Sequence, residues 1–328
     1  MQAARFERFG AADDVLVIGE LPDPKPAPGE VLVRLHTSSP NPSDVKKRAG
    51  AAPGLLDGGF IVPHSDGAGV IESVGVGVLP ARVGEHVWVY QAQHARRFGT
   101  AAQYVTIASE RTPTLAPEAD FAAGACLGIP AMTAHRCVFA DGPVAGQHVL
   151  VTGGAGRVGW YAIQWARDAG ATAIATASNE TDRAACLSLG AQAVVNHREP
   201  DWGKQVLDAT GGARINRVID VEFGANLPQV LECIRTSGTL VSYGSVQVPE
   251  PVLPFRRMMF LDLLLRLVIV YDMPESAKQQ AITDINTALA AGTLQHRIAA
   301  RFALQDVAAS HRLIEAGTAR GCVVVDIA

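Results

Sequence analysis

HVLVTGGAGRVGWYAIQWARDAG, residues 148–170, carries three structural signals in succession. Val149, Leu150 and Val151 form a short apolar run of the kind that makes a buried strand. Gly154, Gly156 and Gly159 then fit the spacing G-x-G-x-x-G, and Val158, Ala162, Trp165 and Ala169 recur at helical spacing until Gly170 stops the helix. A strand running through a glycine turn into a helix is the arrangement that holds a dinucleotide pyrophosphate, because unpaired N–H groups at the helix start attract an anion. On this reading Gly154 permits the tight turn, Gly156 lets backbone approach phosphate, and Gly159 lets helix touch strand. Ala155, Arg157 and Val158 complete the loop. The competing reading is an ordinary glycine-rich turn, which would not need both flanking elements to match.

Working outward, further strands are expected at 172–177, 192–195, 216–220, 238–243 and 264–271, with helices between them. That alternation predicts a doubly wound parallel sheet. The first third has another texture. VLVRLHTSS, GVIESVGVGV, EHVWVYQ and AAQYVTIA are short strands separated by turn-rich breaks such as PDPKPAPGE, which predicts an antiparallel, barrel-like β domain. Beyond 274 come amphipathic helices near 275–291 and 306–316, closed by Gly292 and Gly317, and a last strand CVVVDIA. That strand needs a sheet to join, so the first domain is read as discontinuous: 1–119 with 274–328, around a cofactor domain at 120–273.

The 328 residues are 48% hydrophobic and carry a formal charge of −4, with no long like-charge runs. These values allow large cores and give no basis for a nucleic-acid or anionic-membrane partner. The N-terminal MQAARFERFG is too charged for an export signal, so a cytoplasmic location is expected. Cys126, Cys137, Cys186, Cys233 and Cys322 are too dispersed for a disulfide framework or a zinc ribbon and read as buried thiols. The apolar run at 258–273 contains Asp262 and Arg266 and is too short to span a bilayer. It reads as a buried or subunit-facing strand, and the stretch near 264–271 suggests a homodimer paired edge to edge.

NAD-selective sites place Asp or Glu at the end of the second strand, whereas TAIATA ends here in Ser178 and Asn179. Glu180 belongs to the next helical turn, and Arg183 lies one turn further on. The third strand ends in Asn196, His197 and Arg198, so basic side chains are expected on the same edge. NADPH is favoured over NADH. Arg183 could equally be a solvated helix charge.

These features belong to an ordered series: Asn41-Pro42-Ser43-Asp44 with Arg48 and Gly50, SDGAGVIESVG at 65–75, GIPAMTAHR at 128–136, the glycine loop, NHRE at 196–199, Gly238, and Gly244-Ser245. Nearly end to end, the series resembles the medium-chain dehydrogenase/reductase superfamily, and within it the zeta-crystallin-like NADPH:quinone oxidoreductases. The resemblance implies a Rossmann cofactor domain and a GroES-like catalytic domain. Zinc-dependent alcohol dehydrogenases share that scaffold, yet their ligand positions correspond here to Asn41, to His64-Ser65-Asp66 and to Ile129, and residues 91–112 lack the cysteines of a structural zinc loop. No metal is expected, because a catalytic zinc requires three protein donors. His64 reads as a turn or core histidine.

Without a Lewis acid an alcohol is hard to oxidise, so the expected substrate is already polarised: a quinone or another conjugated carbonyl. The resemblance implies that the Asn41 amide donates toward the substrate carbonyl or reaches the nicotinamide, with turn formation as its alternative role. It implies that Asp44 orders Asn41 or Arg48, and that Thr133 lies near the nicotinamide ribose. Gly244 and Ser245 follow the fifth strand, at the edge where open parallel sheets bind ligands. A tyrosine common in the family is replaced by Lys46, and Tyr90 is a candidate lining residue or an ordinary half-buried aromatic. The alternatives are a 2-alkenal or enone reductase on the same fold, and a weakly catalytic NADPH-binding protein of crystallin or RNA-associated type.

Overall fold

The computed structural model describes residues 1–327 and divides into two compact units. One is Met1–Pro130 together with the chain from Ile282 onward, and the other is Ala131–Ala281. These boundaries fall eleven and eight residues beyond the expected 119/120 and 273/274. The helix Phe121–Gly124 packs on the strand Asp66–Val74 of the first unit, which carries the chain past 120 before the second unit begins.

The second unit is organised by a wholly parallel six-stranded sheet. Its order is Leu264–Leu267, Ile234–Ser242, Ile215–Asp220, His148–Val151, Thr172–Ala177 and Ala193–Asn196. Numbered along the chain, that is the order 3-2-1-4-5-6 of a dinucleotide-binding Rossmann sheet. The order reverses between His148–Val151 and Ile215–Asp220, and such a switch point is where open sheets bind ligands. Apolar side chains fill the interior: Leu150, Ile174, Val218 and Leu240 from the strands pack with Val206, Leu227 and Val230 from the helices. Leu264–Leu267 is an edge strand, with Leu264 45% and Leu267 70% exposed.

The first unit is built on a mixed sheet, ordered Ile298–Ala303, Cys322–Asp326, Glu30–Ser39, Asp66–Val74 and His86–Val89, with Tyr104–Ala108 also paired to Glu30–Ser39. The terminal strand Cys322–Asp326 lies antiparallel to Glu30–Ser39, with Val325 opposite Ser38. The two ends of the chain therefore close one GroES-like domain. Three strands have no counterpart in the sequence reading: Gln2–Arg5 with Val17–Glu20, and Ile298–Ala303. Each is short and lies at an edge, and IAARFA alternates half-buried with exposed, too weak a pattern to read alone. All five cysteines are buried and unbridged. Among the described residues no helix is long and apolar enough to cross a membrane.

Candidate functional site

In the second unit the glycine loop has the expected form with one change of roles. The left-handed residue is Gly153 (φ 62°), one position before Gly154. Gly154 instead serves packing: a Cβ there would sit 2.8 Å from Ala175 Cβ and 2.9 Å from Ile163 Cδ1. At Gly159 a Cβ would meet Gly153 O at 2.4 Å, so the helix Arg157–Asp168 can lie against the turn only through glycine. Gly156 is the N-cap of that helix and offers no side chain to cap it, Ala155 and Val158 are buried, and the first turn carries no acid but does carry Arg157. A basic residue at the positive end of a helix dipole is unfavourable for the helix alone and favourable once an anion sits there. The loop is anchored to its neighbouring strand by Gly153 N–H donating to Thr176 Oγ1 at 2.9 Å and Gly154 N–H to Thr176 O at 3.0 Å. These residues fit a dinucleotide.

Around the ribose-selecting edge the expected residues separate into two kinds. Ala177 lies opposite Asn196 in register, which brings Ser178 beside His197 with Arg198 next along the chain. The Arg198 guanidinium is exposed and has no acidic partner among the described residues. Asn179 is occupied as the N-cap of Glu180–Ser188, where Oδ1 accepts from Asp182 N–H and Nδ2 donates to Asp182 Oδ2, both at 2.8 Å. Arg183 pairs with Glu180 at 3.1 Å on the surface, so its charge is already answered. Thr133 is buried on the helix Met132–Phe139.

At the switch point lies a residue that sequence reasoning passed over. Asp220 is fully buried, and its Oδ1 accepts from Thr152 Oγ1 (2.6 Å), Asn226 Nδ2 (2.7 Å) and Glu222 N–H (3.3 Å). Thr152 Oγ1 in turn accepts from Val221 N–H at 3.0 Å. Burial pushes the Asp220 carboxyl above its ordinary range, against the pull of these donors. Thr152 immediately precedes the glycine loop, so Asp220 braces the loop's first residue across the crevice. Gly244 O accepts from Phe223 N–H and Ser245 Oγ from Gly224 N–H, each at 2.9 Å.

In the first unit Asn41 is the buried N-cap of Pro42–Arg48, and its N–H donates to Asp44 Oδ2 at 2.8 Å. Of the two roles open to its amide, the hydrogen bonds favour the turn. Nδ2 gives its hydrogens to Asp66 Oδ2 (2.8 Å) and Ser39 O (3.4 Å), both pure acceptors, which also fixes the orientation of the amide. Asp66 Oδ2 takes a second hydrogen bond from Ile129 N–H at 2.8 Å. Burial holds the Asp66 carboxyl well above the usual carboxylate range; nearby Asp44 adds to the shift, while Ile129 and Asn41 oppose it. Close by, Lys47 Nζ donates to Gln93 Oε1 at 2.8 Å, and burial lowers its pKa against the pull of Asp44 and Asp66. The Arg48 guanidinium is buried and reaches Gly10 O and Glu315. Tyr90 is buried with its hydroxyl on Glu110 O at 3.2 Å, the arrangement of a packed aromatic.

His64 is a core histidine in a turn, with φ 77°. Ser38 Oγ lies 2.8 Å from its Nδ1, and His311 Nε2 lies 2.8 Å from its Nε2. One proton arrangement satisfies the chain: Thr100 donates to Asp66 O, Ser38 to Thr100, His64 Nδ1–H to Ser38, and His311 Nε2–H to His64. Both rings are then neutral. Burial lowers both, with His311 adding to the shift at His64 and Arg48 pushing His311 down to about 3.

Two family models match the chain: the alcohol dehydrogenase GroES-like domain over residues 27–118 and the zinc-binding dehydrogenase over 158–287. A quinone oxidoreductase of Rattus norvegicus is 31% identical over 248 residues, 74% of this chain and 73% of the relative. A 2-haloacrylate reductase of Burkholderia sp is 28% identical over 338 residues, 99% and 98% of the two chains. Among solved structures, an NAD-dependent alcohol dehydrogenase superposes with a TM-score of 0.91 at 27% identity, and a mycobacterial protein complexed with NADPH with 0.89 at 25%; both cover all of both chains. The zinc in the second family's name does not fit this chain. Among the described residues no three His, Cys, Asp or Glu side chains gather as a metal cage; the ligand positions hold the amide of Asn41, the hydroxyl of Ser65 and the hydrocarbon of Ile129, and the neighbouring Asp66 is taken by Asn41 Nδ2 and Ile129 N–H.

Proposed function

Because the chain belongs to the quinone oxidoreductase family of medium-chain dehydrogenases/reductases, we propose that it catalyses zinc-independent hydride transfer from NADPH to a quinone or similar conjugated carbonyl. The observation that carries the zinc-free reading is the Asn41–Asp66–Ile129 hydrogen-bonded set, which offers one carboxylate, already engaged, in place of three metal donors. A conjugated acceptor suits such a site, since its product anion is delocalised and needs no Lewis acid.

NADPH, when bound, supplies the hydride. The protein's part is binding, orientation and exclusion of water. Gly154, Gly156 and Gly159 would admit the pyrophosphate to the start of Arg157–Asp168, and Ser178, His197 and Arg198 would face the adenosine 2′-phosphate. The open Arg198 charge and the lack of an acid at the end of Thr172–Ala177 support NADPH over NADH. Asn41 acts by shaping the turn that carries it, because both its amide hydrogens are engaged within the first unit. The 2-haloacrylate reductase likeness favours a second reading on the same machinery, reduction of an activated alkene.

The test is turnover by chelator-treated protein. NADPH oxidation with a benzoquinone should survive chelation and exceed NADH oxidation, with no alcohol oxidation in the reverse assay. Zinc-dependent alcohol oxidation would overturn the proposal; rapid enone reduction with no quinone turnover would move it to the second reading. We also propose a homodimer joined through the exposed edge strand Leu264–Leu267, so Leu267→Lys should sediment as a monomer if the wild type sediments as a dimer.

A further inference from the structure

Two residues beyond Asp220, the chain presents a second carboxylate with a different set of partners. Glu222 is half-buried, and its two oxygens accept consecutive main-chain N–H groups: Oε2 from Val246 and Oε1 from Gln247, each at 2.9 Å. It makes no ion pair among the described residues. The same pair of segments is stitched together by Phe223 N–H on Gly244 O and Gly224 N–H on Ser245 Oγ, both 2.9 Å, and Ser245 Oγ passes its own proton to Val248 O. The segments lie in tight apposition, since a Cβ at Gly224 would fall 2.3 Å from Val248 O. With Ser242 opposite Asp220 in register, this stitching sits at the C-terminal edge of the sheet. Gly244, Ser245, Pro249 and Pro251 there wall a mostly apolar cavity of about 310 Å³.

We infer that Glu222 is a positioning residue, a latch that holds 244–248 against the end of Ile215–Asp220 and so shapes the cofactor-binding edge. The assignment rests on the reading of that edge as the NADPH site. Its logic is the cost of the alternative. Residues 246–250 are exposed and lead into Pro249 and Pro251, so few side-chain contacts order them, and the segment takes its shape from backbone groups caught by side chains. A carboxylate that accepts two N–H groups makes stronger hydrogen bonds than a neutral acceptor and fixes two successive residues at once. Asp220 braces the glycine loop through Thr152. The short 220–224 junction therefore ties both walls of the crevice to one strand end, although no nucleotide motif includes it.

Hydrogen exchange in the cofactor-free protein, together with NADPH titration calorimetry, tests the latch. In Glu222→Ala the amides of Val246 and Gln247 should exchange at least about tenfold faster while those of Ile215–Asp220 stay protected, and the Kd for NADPH should rise about three- to tenfold, the worth of a hydrogen bond or so. KM for NADPH should rise with it and kcat at saturating cofactor should change less. Glu222→Gln keeps one acceptor and should fall between Ala and wild type. Gly224→Ala, which pushes the segment off without changing charge, should weaken NADPH in the same sense. Unchanged exchange in Glu222→Ala, or faster exchange with an unchanged Kd, would overturn the latch. A wild type that does not bind NADPH would overturn the proposed function instead, and the exchange comparison separates the two.

Discussion

The glycine loop of the second unit and the Asn41–Asp66 cluster of the first are built by opposite means. The loop is a backbone structure: Gly153, Gly154, Gly156 and Gly159 lie within seven consecutive positions, and what matters is that no Cβ intrudes. The cluster is a side-chain structure assembled by the sheet, with Asp66 meeting a partner 25 positions before it and another 63 after, and His64 one 247 after. A backbone site fails when atoms are added. A hydrogen-bonded site fails when a partner is removed and survives a change that preserves its donors and acceptors.

The contrast is broken most severely from the loop side. Gly159→Val would put a Cβ 2.4 Å from Gly153 O and 2.9 Å from Gly154 Cα, backbone atoms that cannot step aside. Overpacking of this kind should cost about 3 kcal/mol and reduce NADPH affinity at least about tenfold. Chemical denaturation and calorimetry measure the two, and wild-type values for both would mean that the helix does not rest on the turn. In the cluster, Asp66→Ala strips the acceptor from Asn41 Nδ2 and Ile129 N–H and should cost about 2 kcal/mol, whereas Asp66→Asn keeps an acceptor oxygen and should cost less than about 1 kcal/mol. Equal losses in the two variants would make charge, not hydrogen bonding, the property that matters there.

That difference also governs what could be read beforehand. The parallel sheet and its loop were legible because strand, glycine spacing and helix follow one another in sequence, and the closing of the first domain by VVVDIA followed from a strand that needed a sheet. The choice between the two roles of Asn41 stayed open, because a sequence names an amide without saying which of its ends is taken. Asp66 lay inside SDGAGVIESVG with no sign of its partners, and the His64–His311 pair had no local motif. The available signal was His64-Ser65-Asp66, three polar residues leading into a strand that continues through buried Gly67, Ala68 and Gly69, where burial obliges side chains such as His64 and Asp66 to find partners. Glu222 gave no signal, since its partners are backbone amides and any residues but proline at 246–247 would supply them.

Protonation sharpens the comparison further, since the cluster itself titrates while the loop does so only through its brace Asp220. In the folded protein the neutral His311 has its pKa near 3, below the ordinary 6.5 of the unfolded chain, with His64 lowered in the same direction. Stability from His311 is therefore complete above about pH 6.5 and declines as pH falls toward 3, by up to about 1.4 kcal/mol per pH unit, and His64 acts in the same direction. Asp66 and Asp220 act oppositely, because a raised carboxyl contributes stability at low pH that is lost as pH rises through its folded pKa. His311→Gln keeps an N–H that can reach His64 Nε2 and removes one titrating ring, so it isolates the histidine contribution. Urea unfolding across pH 4–7 should show a shallower acid decline in the variant; parallel curves would mean that folding leaves the His311 pKa unchanged, and a steeper decline that the ring is charged in the fold.

The smallest effect expected separates two arginines on the nucleotide edge. Arg198 is exposed beyond the strand Ala193–Asn196 and makes no ion pair among the described residues, the adjacent Glu199 accepting from Asn196 instead, whereas Arg183 already faces Glu180 at 3.1 Å. An exposed guanidinium next to a carboxylate offers a phosphate little net charge, and the exposed pair itself contributes little to stability. Arg198→Ala should therefore lower the preference for NADPH over NADH by about tenfold, the worth of one charge-assisted hydrogen bond, and Arg183→Ala by less than about twofold. Both should leave NADH kinetics near wild type, because the change is confined to recognition of the 2′-phosphate. Paired kcat/KM measurements with the two cofactors decide it. A larger loss at Arg183 would mean that the guanidinium leaves Glu180 for the cofactor, and would turn the N-cap of Glu180–Ser188 into part of the selecting edge.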